Sequence, residues 1–156
     1  MREIKFRGKT LHNNEWIYGS YFYTDDNKNN PFRRGPFKEK HCIMYYNSGD
    51  WNLGGWNWEE VDRNTVSQFT GLYDKNGNEI YEGDILVFDD GDVLVFDESY
   101  GDFKDALEVR YVRGIFAFLW NGDLDDECTI NSPTREWAHV IGNIYDNPEL
   151  IKTDNE

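Results

Sequence analysis

The sequence contains little cysteine and no long apolar segment. Its 156 residues include only Cys42 and Cys128, with no CxxC motif. Disulfide frameworks in exported proteins use more cysteines, so we expect two reduced thiols in a cytoplasmic protein. The longest apolar run covers residues 115–120, far short of the roughly 20 residues that cross a bilayer. The sequence therefore predicts no membrane-spanning segment.

Basic residues are also scarce. Sixteen Lys and Arg stand against thirty Asp and Glu, which gives a formal net charge of -14. Because phosphate binding needs a basic surface, this balance argues against free nucleic acid as the main partner. Residues 82–108 alone hold ten acids and one base. Two interpretations are open: a solvated face that keeps the protein soluble, or a docking surface for a basic partner.

Aromatic residues, by contrast, are abundant. Phe, Tyr and Trp make up 17% of the chain, and each side chain can bury a large apolar area. Disordered chains lack such residues, so we expect a folded protein. Short strands separated by turns predict a mainly β fold, either a small barrel or a sandwich. Alternation at residues 4–10 and runs of apolar and aromatic residues elsewhere place these strands at residues 4–10, 15–23, 41–46, 66–69, 84–89, 92–97, 107–112, 115–120 and 137–145.

Turn residues separate these segments. Asn13-Asn14 and residues 74–77 are typical of tight turns, because Asn and Gly accept a positive φ. Asp90-Gly91 is typical of a two-residue hairpin turn, which would join the similar runs DILVFD and DVLVFD. Residues 24–60 are polar at first and glycine-rich later, so we expect an irregular insertion there.

Two longer blocks resemble signature segments of a known family. TGLYDKNGNEIYEGDIL (residues 70–86) and VIGNIYDNPELI (residues 140–151) look like blocks of the YopX family of phage and prophage proteins, and REIKFRGK (residues 2–9) is similar to its usual start. The resemblance implies a mostly β protein with an SH3-like barrel in its C-terminal part. It also implies a phage or prophage origin and a bacterial cytoplasm, but no activity and no catalytic residues.

The expected domain organisation follows from these blocks and from the turn residues. Residues 1–64 form an N-terminal β region, a hairpin subdomain that carries the 24–60 insertion. Residues 65–151 form the SH3-like barrel region, and residues 152–156 form a tail. Within the barrel region we expect Gly83 to allow a sharp turn and Gly142 to mark a β-bulge.

The paired DxLVFD runs raise one metal hypothesis. In that hairpin Asp84 would face Asp97 and Asp89 would face Asp92, and like charges directly opposite each other are unfavourable. We predict that both pairs are solvated, because Ca²⁺ and Mg²⁺ need more ligands than two carboxylates. The alternative is a Ca²⁺ or Mg²⁺ site. No zinc site and no cofactor are predicted, since the histidines and cysteines lack ligand spacing.

Three tryptophans, Trp51, Trp56 and Trp58, lie close together in the glycine-rich segment. They form either an exposed stacking surface for a sugar, base or peptide, or a cover over the core.

Together these features predict a non-catalytic binding or interaction protein whose partner is a host or phage protein. Oligomeric state is not indicated. The alternatives are a nucleic-acid-associated module and an unrecognised hydrolase. The candidate binding residues are Trp51, Trp56, Trp58, Asp89, Asp90 and Asp92.

Overall fold

A computed structural model describes residues 3–25, 39–48, 54–88, 106–120, 127–129 and 138–151. The chain divides into two compact units, Met1–Gln68 and Phe69–Glu156. All strand pairs among the described residues are antiparallel. The described helical elements are two short 3₁₀ turns, Arg63–Thr65 and Pro148–Ile151. No helix in these ranges has the length and apolar character needed to cross a bilayer.

The first unit is built on antiparallel strands in the order β4-β3-β2-β1-β5, and of the last strand it contains Ser67 and Gln68. These are β1 (Phe6–Lys9), β2 (Trp16–Asp25), β3 (Glu39–Asn47), β4 (Gly55–Glu60) and β5 (Ser67–Tyr73). The long strand β2 changes partner along its length, pairing first with β1 and then, from Ser20 onward, with β3. Gly19 lies at the change of partner. A Cβ there would lie 2.1 Å from the Met44 carbonyl oxygen, so only glycine permits this close approach.

The second unit contains a five-stranded sheet in the order β10-β9-β8-β7-β11. A further strand, β6, pairs with the later residues of β5. The six strands are β6 (Glu79–Tyr81), β7 (Asp84–Phe88), β8 (Leu107–Val112), β9 (Ile115–Trp120), β10 (Glu127–Thr129) and β11 (Ala138–Asn143). The core of this unit is a cluster of buried apolar side chains, Ile80, Leu86, Leu107, Val109, Phe118 and Ala138.

Local sequence signals explain several turns. Gly77 has a φ of 84° and Gly83 a φ of 79°, both in the region that favours glycine, and Asn14 has a φ of 61°. The pairing of β7 with β11 shifts register between Val140 and Gly142, which confirms the expected bulge. These turns and the strand alternation follow directly from residue type and spacing.

Two sequence-based expectations need correction. Residues 24–60 do not form an irregular insertion throughout, because β3 and β4 lie within them and Cys42 and Ile43 are fully buried. The DILVFD run also departs from the expected hairpin, in which Asp84 would lie opposite Asp97. Ile85 and Leu86 pair with β8 on one side, and β11 occupies the other side of β7. The fold is mainly β, and no closed barrel is found among the described residues.

Candidate binding surface

Four exposed side chains on the β3–β4 hairpin form what we call the aromatic patch: Met44, Tyr46, Trp56 and Trp58. Tyr46 lies directly opposite Trp56, and Met44 lies directly opposite Trp58. Residues opposite each other in an antiparallel pair share a face, so all four side chains lie on one side of the hairpin. The Tyr46 and Trp56 rings meet edge to face with centroids 5.5 Å apart.

The tryptophans of the patch are not folded into the core. Trp56 is 69% exposed and Trp58 is 56% exposed. The Phe22 ring on β2 and the Trp58 ring meet edge to face, with centroids 6.4 Å apart. Trp51, the third candidate from the sequence, lies outside the described residues. For Trp56 and Trp58 the exposed alternative therefore describes the structure better than a cover over the core.

Basic side chains of β1, and of the residue before it, lie against aromatic rings of β2. The Arg7 guanidinium lies 4.6 Å from the centroid of the Trp16 ring, and the Lys9 ammonium lies 5.4 Å from the same centroid. The Lys5 ammonium lies 5.7 Å from the Tyr18 centroid. These are cation–π distances. Arg7 and Lys9 are each only 7% exposed, so they belong to the packing of the unit rather than to its accessible surface.

The first unit buries few apolar side chains. Among its described residues the buried apolar set is Cys42, Ile43 and Val61, whereas the second unit buries twelve. The first unit also exposes five aromatic side chains, namely Tyr18, Tyr23, Tyr46, Trp56 and Trp58. Because burial of aromatic area is a large stabilising term, a partner that covers this surface would stabilise the unit substantially.

The buried carboxylate of Asp74 organises the turn between β5 and β6. Its Oδ1 accepts hydrogen bonds from the backbone N–H groups of Asn76 and Asn78, both at 2.8 Å. Its Oδ2 accepts from the side chain of Asn78 at 2.9 Å and from the Val140 N–H at 3.1 Å. Burial acts to raise the pKa of Asp74, but these hydrogen bonds outweigh it and hold the pKa below its ordinary value. The sequence predicts a turn at residues 74–77. The Asp74 carboxylate also connects this turn to β11 through the hydrogen bond from the Val140 N–H.

Three further acids of the second unit lie in structured positions. Asp84 is 1% exposed, and its Oδ2 accepts from the Tyr81 N–H at 2.8 Å. Glu108 is 4% exposed and accepts three hydrogen bonds of 2.8–2.9 Å from the Arg110 guanidinium. Burial raises the pKa of Glu82, and the Tyr111 N–H and the Arg110 charge offset part of this rise. The carboxylates of Asp84 and Glu108 serve the fold, so the acids of this region are not simply a solvated face.

The acidic candidates Asp89, Asp90, Asp92 and Asp97 lie outside the described residues. The register that would place Asp84 opposite Asp97 is not formed at Ile85 and Leu86, which removes the geometric argument for a metal pair there. No group of three or more His, Cys, Asp or Glu side chains within the described ranges could hold a metal ion.

Cys42 and His41 do not have the geometry of a catalytic pair. Adjacent strand residues point to opposite faces, so the two side chains diverge. Cys42 is completely buried. The His41 Nδ1 lies 2.6 Å from the Tyr21 hydroxyl oxygen, and burial is the main cause that raises the pKa of Tyr21. Nothing in the sequence spacing indicated this pair, because it depends on the β2–β3 register.

Sequence reasoning also missed Met44 and Tyr46. The β3 residues alternate, but the glycine-rich sequence around β4 predicts a loop and so no partner strand for β3. Residue type alone was sufficient to select Trp56 and Trp58.

Comparisons with known proteins agree with the fold. The crystal structure of protein EF1440 from Enterococcus faecalis is similar to this chain, with a TM-score of 0.55 and 26% sequence identity. The similarity covers 97% of this chain and 100% of that one. Among curated proteins there is no match. The family model for YopX protein matches residues 5–152, nearly the whole sequence. The chain therefore belongs to the YopX family.

Proposed function

We propose that this protein is a non-catalytic binding protein and that its aromatic patch holds another protein. The observation that carries the proposal is the exposure of Trp56 and Trp58 beside Met44 and Tyr46 on one face of a hairpin. Contiguous exposed apolar side chains mark interaction sites. Trp, Tyr and Met are also the residue types enriched at protein interfaces.

The partner class follows from the chemistry of this face. Single-strand nucleic-acid binders combine exposed rings with basic groups that reach the phosphates. Here Arg7 and Lys9 are buried beside Trp16, so they do not supply an accessible basic track. The chain also carries a net charge of -14. An apolar protein surface fits these constraints better than a polyanion, and the expected partner is a host or phage protein in a bacterial cytoplasm.

The acidic segment at residues 82–108 is a second candidate docking surface on the same protein. Its support is charge density, ten acids against one base, and it would bind a basic partner. The residues proposed to carry it are Asp89, Asp90 and Asp92.

Affinity purification with matched variants tests the proposal. The tagged full chain is compared with a Trp56→Ser/Trp58→Ser variant and with an Asp89→Asn/Asp90→Asn/Asp92→Asn variant, in lysate of a bacterial host. Tyr111→Ser, which removes an exposed aromatic ring of the second unit, is the control.

We expect one protein to be retained by the wild type, the control and the neutralised variant, and to be lost from the tryptophan variant. The retained protein is then purified and its affinity for each variant is measured directly. Retention by the tryptophan variant, with loss only from the neutralised variant, would move the site to the acidic segment. Binding of a labelled single-stranded oligonucleotide that disappears with Trp56 and Trp58 would instead establish the nucleic-acid alternative.

A further inference from the structure

The outer edge of β4 presents backbone groups of the same residues that expose their rings. The Val61 N–H donates to the His41 carbonyl at 2.8 Å, toward β3, whereas the Glu60 carbonyl accepts from the Leu11 N–H at 3.1 Å, on the opposite side. The β3–β4 register is unbroken. Because backbone groups alternate along a strand, the N–H and C=O of Trp56 and Trp58 point to the outer edge, as those of Glu60 do.

Within the described part of the chain, this edge is open to another strand, because no strand pairs with Trp56 or Trp58 on that side. A Cβ built on Gly55, which would project from the face of the sheet, meets nothing within 4 Å, so this position has space for a side chain. The edge is limited at its far end, because Leu11 already occupies the Glu60 carbonyl. The accessible segment therefore runs from Gly55 to Glu59.

The sequence of this segment is symmetric about Asn57, with a tryptophan on each side. If a second copy of β4 runs antiparallel to the first with Asn57 opposite Asn57, each Trp56 lies opposite a Trp58. Both residues of such a pair point their backbone groups at each other, so each pair exchanges two hydrogen bonds. The four rings then share one face, where cross-strand aromatic pairs are favourable.

Charge supports the same register. In this arrangement the acidic Glu59 lies opposite Gly55, so no two like charges face each other across the new pair. The first unit as a whole has ten bases and nine acids, a formal charge of +1. The strongly acidic part of the chain therefore lies outside the first unit, and the net charge of the first unit does not oppose self-association.

We propose that two copies of this protein associate through the outer edges of their β4 strands, in a two-fold antiparallel pairing centred on Asn57. The pairing uses backbone groups at the edge and leaves the ring faces open. The dimer therefore has an aromatic patch twice as large. The proposal shares Trp56 and Trp58 with the proposed function and rests on it in no other respect.

Two substitutions at Gly55 test the register without touching the rings. Gly55→Glu places an acid opposite Glu59 of the second copy, whereas Gly55→Lys places a base there. Asn76→Glu and Asn76→Lys, at an exposed position of the second unit, make the same changes in net charge and serve as controls. Sedimentation velocity of the full chain over a concentration series gives the dimer dissociation constant for each variant.

We expect the wild type to form a dimer whose dissociation constant rises at least tenfold with Gly55→Glu and falls with Gly55→Lys, while the two Asn76 variants stay close to the wild type. A wild type that remains monomeric at several hundred micromolar overturns the proposal. A dimer that responds equally to the Gly55 and Asn76 substitutions also overturns it, because net charge would then explain the change.

A thiol introduced at the symmetry centre provides a second measurement. Asn57 would face its own copy as a non-hydrogen-bonded pair with Cα atoms about 4.5 Å apart, a separation that a disulfide can span. We expect Asn57→Cys to form an intermolecular disulfide between the two copies under mild oxidation, identified by mass spectrometry, and Asn64→Cys to form none. Absence of that disulfide in a dimeric sample places the interface elsewhere. Partner capture is also measured with the Gly55→Glu variant. If this variant is monomeric and still captures the partner, the binding function does not depend on the dimer, so the two proposals can fail separately.

Discussion

The two units treat aromatic and charged side chains in opposite ways. Among the described residues the first unit exposes five aromatic side chains and buries three apolar ones, whereas the second exposes Tyr111 and buries twelve apolar ones. Their formal charges are +1 and -15. The described aromatic side chains that are exposed therefore lie mostly in the first unit, where we place the proposed binding surface, and the described buried apolar side chains lie mostly in the second.

The difference extends to the role of ionisable groups. In the first unit Arg7 and Lys9 lie against the Trp16 ring, so cations support aromatic packing. In the second unit Asp74 and Glu108 are buried and accept several hydrogen bonds each. Buried carboxylates of this kind specify a structure, because their loss leaves donors unsatisfied. The comparison teaches that the high acidity of this chain is partly structural and does not by itself define a docking surface.

The largest expected effect is on Asp74. Asp74→Ala removes the acceptor for the N–H groups of Asn76, Asn78 and Val140 and leaves them without that bond. We expect the free energy of unfolding to fall by about 3 kcal/mol, since each unsatisfied buried donor costs about 1–3 kcal/mol. Urea unfolding at pH 7 measures this loss, with the exposed residue Lys75→Ala as a control.

The pH dependence of the same variant tests the cause. Because the folded-state pKa of Asp74 is lowered, its ionised form contributes stability above the unfolded-state pKa, and this contribution is lost as pH falls through the folded-state value. We expect the difference between wild type and Asp74→Ala to be full at pH 7 and to shrink in strong acid. A difference that stays constant from pH 7 to pH 2 would show that the side chain acts through shape rather than charge.

The Glu108–Arg110 pair is expected to give the next largest effect. Arg110→Met leaves the Glu108 carboxylate buried without the guanidinium that donates to both of its oxygens. Loss of one partner of a fully buried pair costs about 3–5 kcal/mol. Because the Arg110 side chain is 42% exposed, we expect a smaller loss of about 2 kcal/mol in urea unfolding. If Glu108→Gln/Arg110→Met is no more stable than Arg110→Met, the buried charge is not the cause.

Much of the secondary structure was predictable from alternation and turn residues. The β8 and β9 strands match the expected ranges, and Gly77, Gly83 and Gly142 have the expected roles. Strand partners were less predictable. The two DxLVFD runs are adjacent in sequence and similar, but Ile85 and Leu86 of the first run pair with β8 and not with the second run. Alternation specifies that a segment is a strand, and long-range packing selects its neighbour.

The candidate site shows the same division. Trp56 and Trp58 were selected by residue type, yet their shared face with Met44 and Tyr46 depends on a register that only the structure supplies. The hydrogen bond from the Val140 N–H to Asp74 spans 66 residues, so the turn signal at Asp74 could not reveal it. The SH3-like barrel in the C-terminal part and the acidic docking surface stay predictions.

A smaller effect is expected at Glu82. Burial raises the pKa of this carboxyl in the folded state, so the ionised form is penalised and stability falls as pH rises from the unfolded-state pKa through the folded-state one. Glu82→Gln removes that penalty, and its Oε1 can still accept from the Tyr111 N–H. We expect the melting temperature to rise at pH 7 by no more than about 2 °C, and to match the wild type near pH 3. A lower melting temperature at pH 7 would contradict this expectation.

The smallest expected effect lies in the first unit and sharpens the comparison most. Trp56→Ser and Trp58→Ser each remove a ring that is more than half exposed. Exposed substitutions away from caps and networks change stability by about 0.5 kcal/mol or less, so we expect each variant to unfold close to the wild type at a concentration where the chain is monomeric. A loss as large as that of Asp74→Ala would mean that the rings hold the first unit together. An unchanged free energy of unfolding, combined with loss of partner capture, would assign these two tryptophans to recognition, because a side chain kept exposed at no benefit to folding is explained by what it binds.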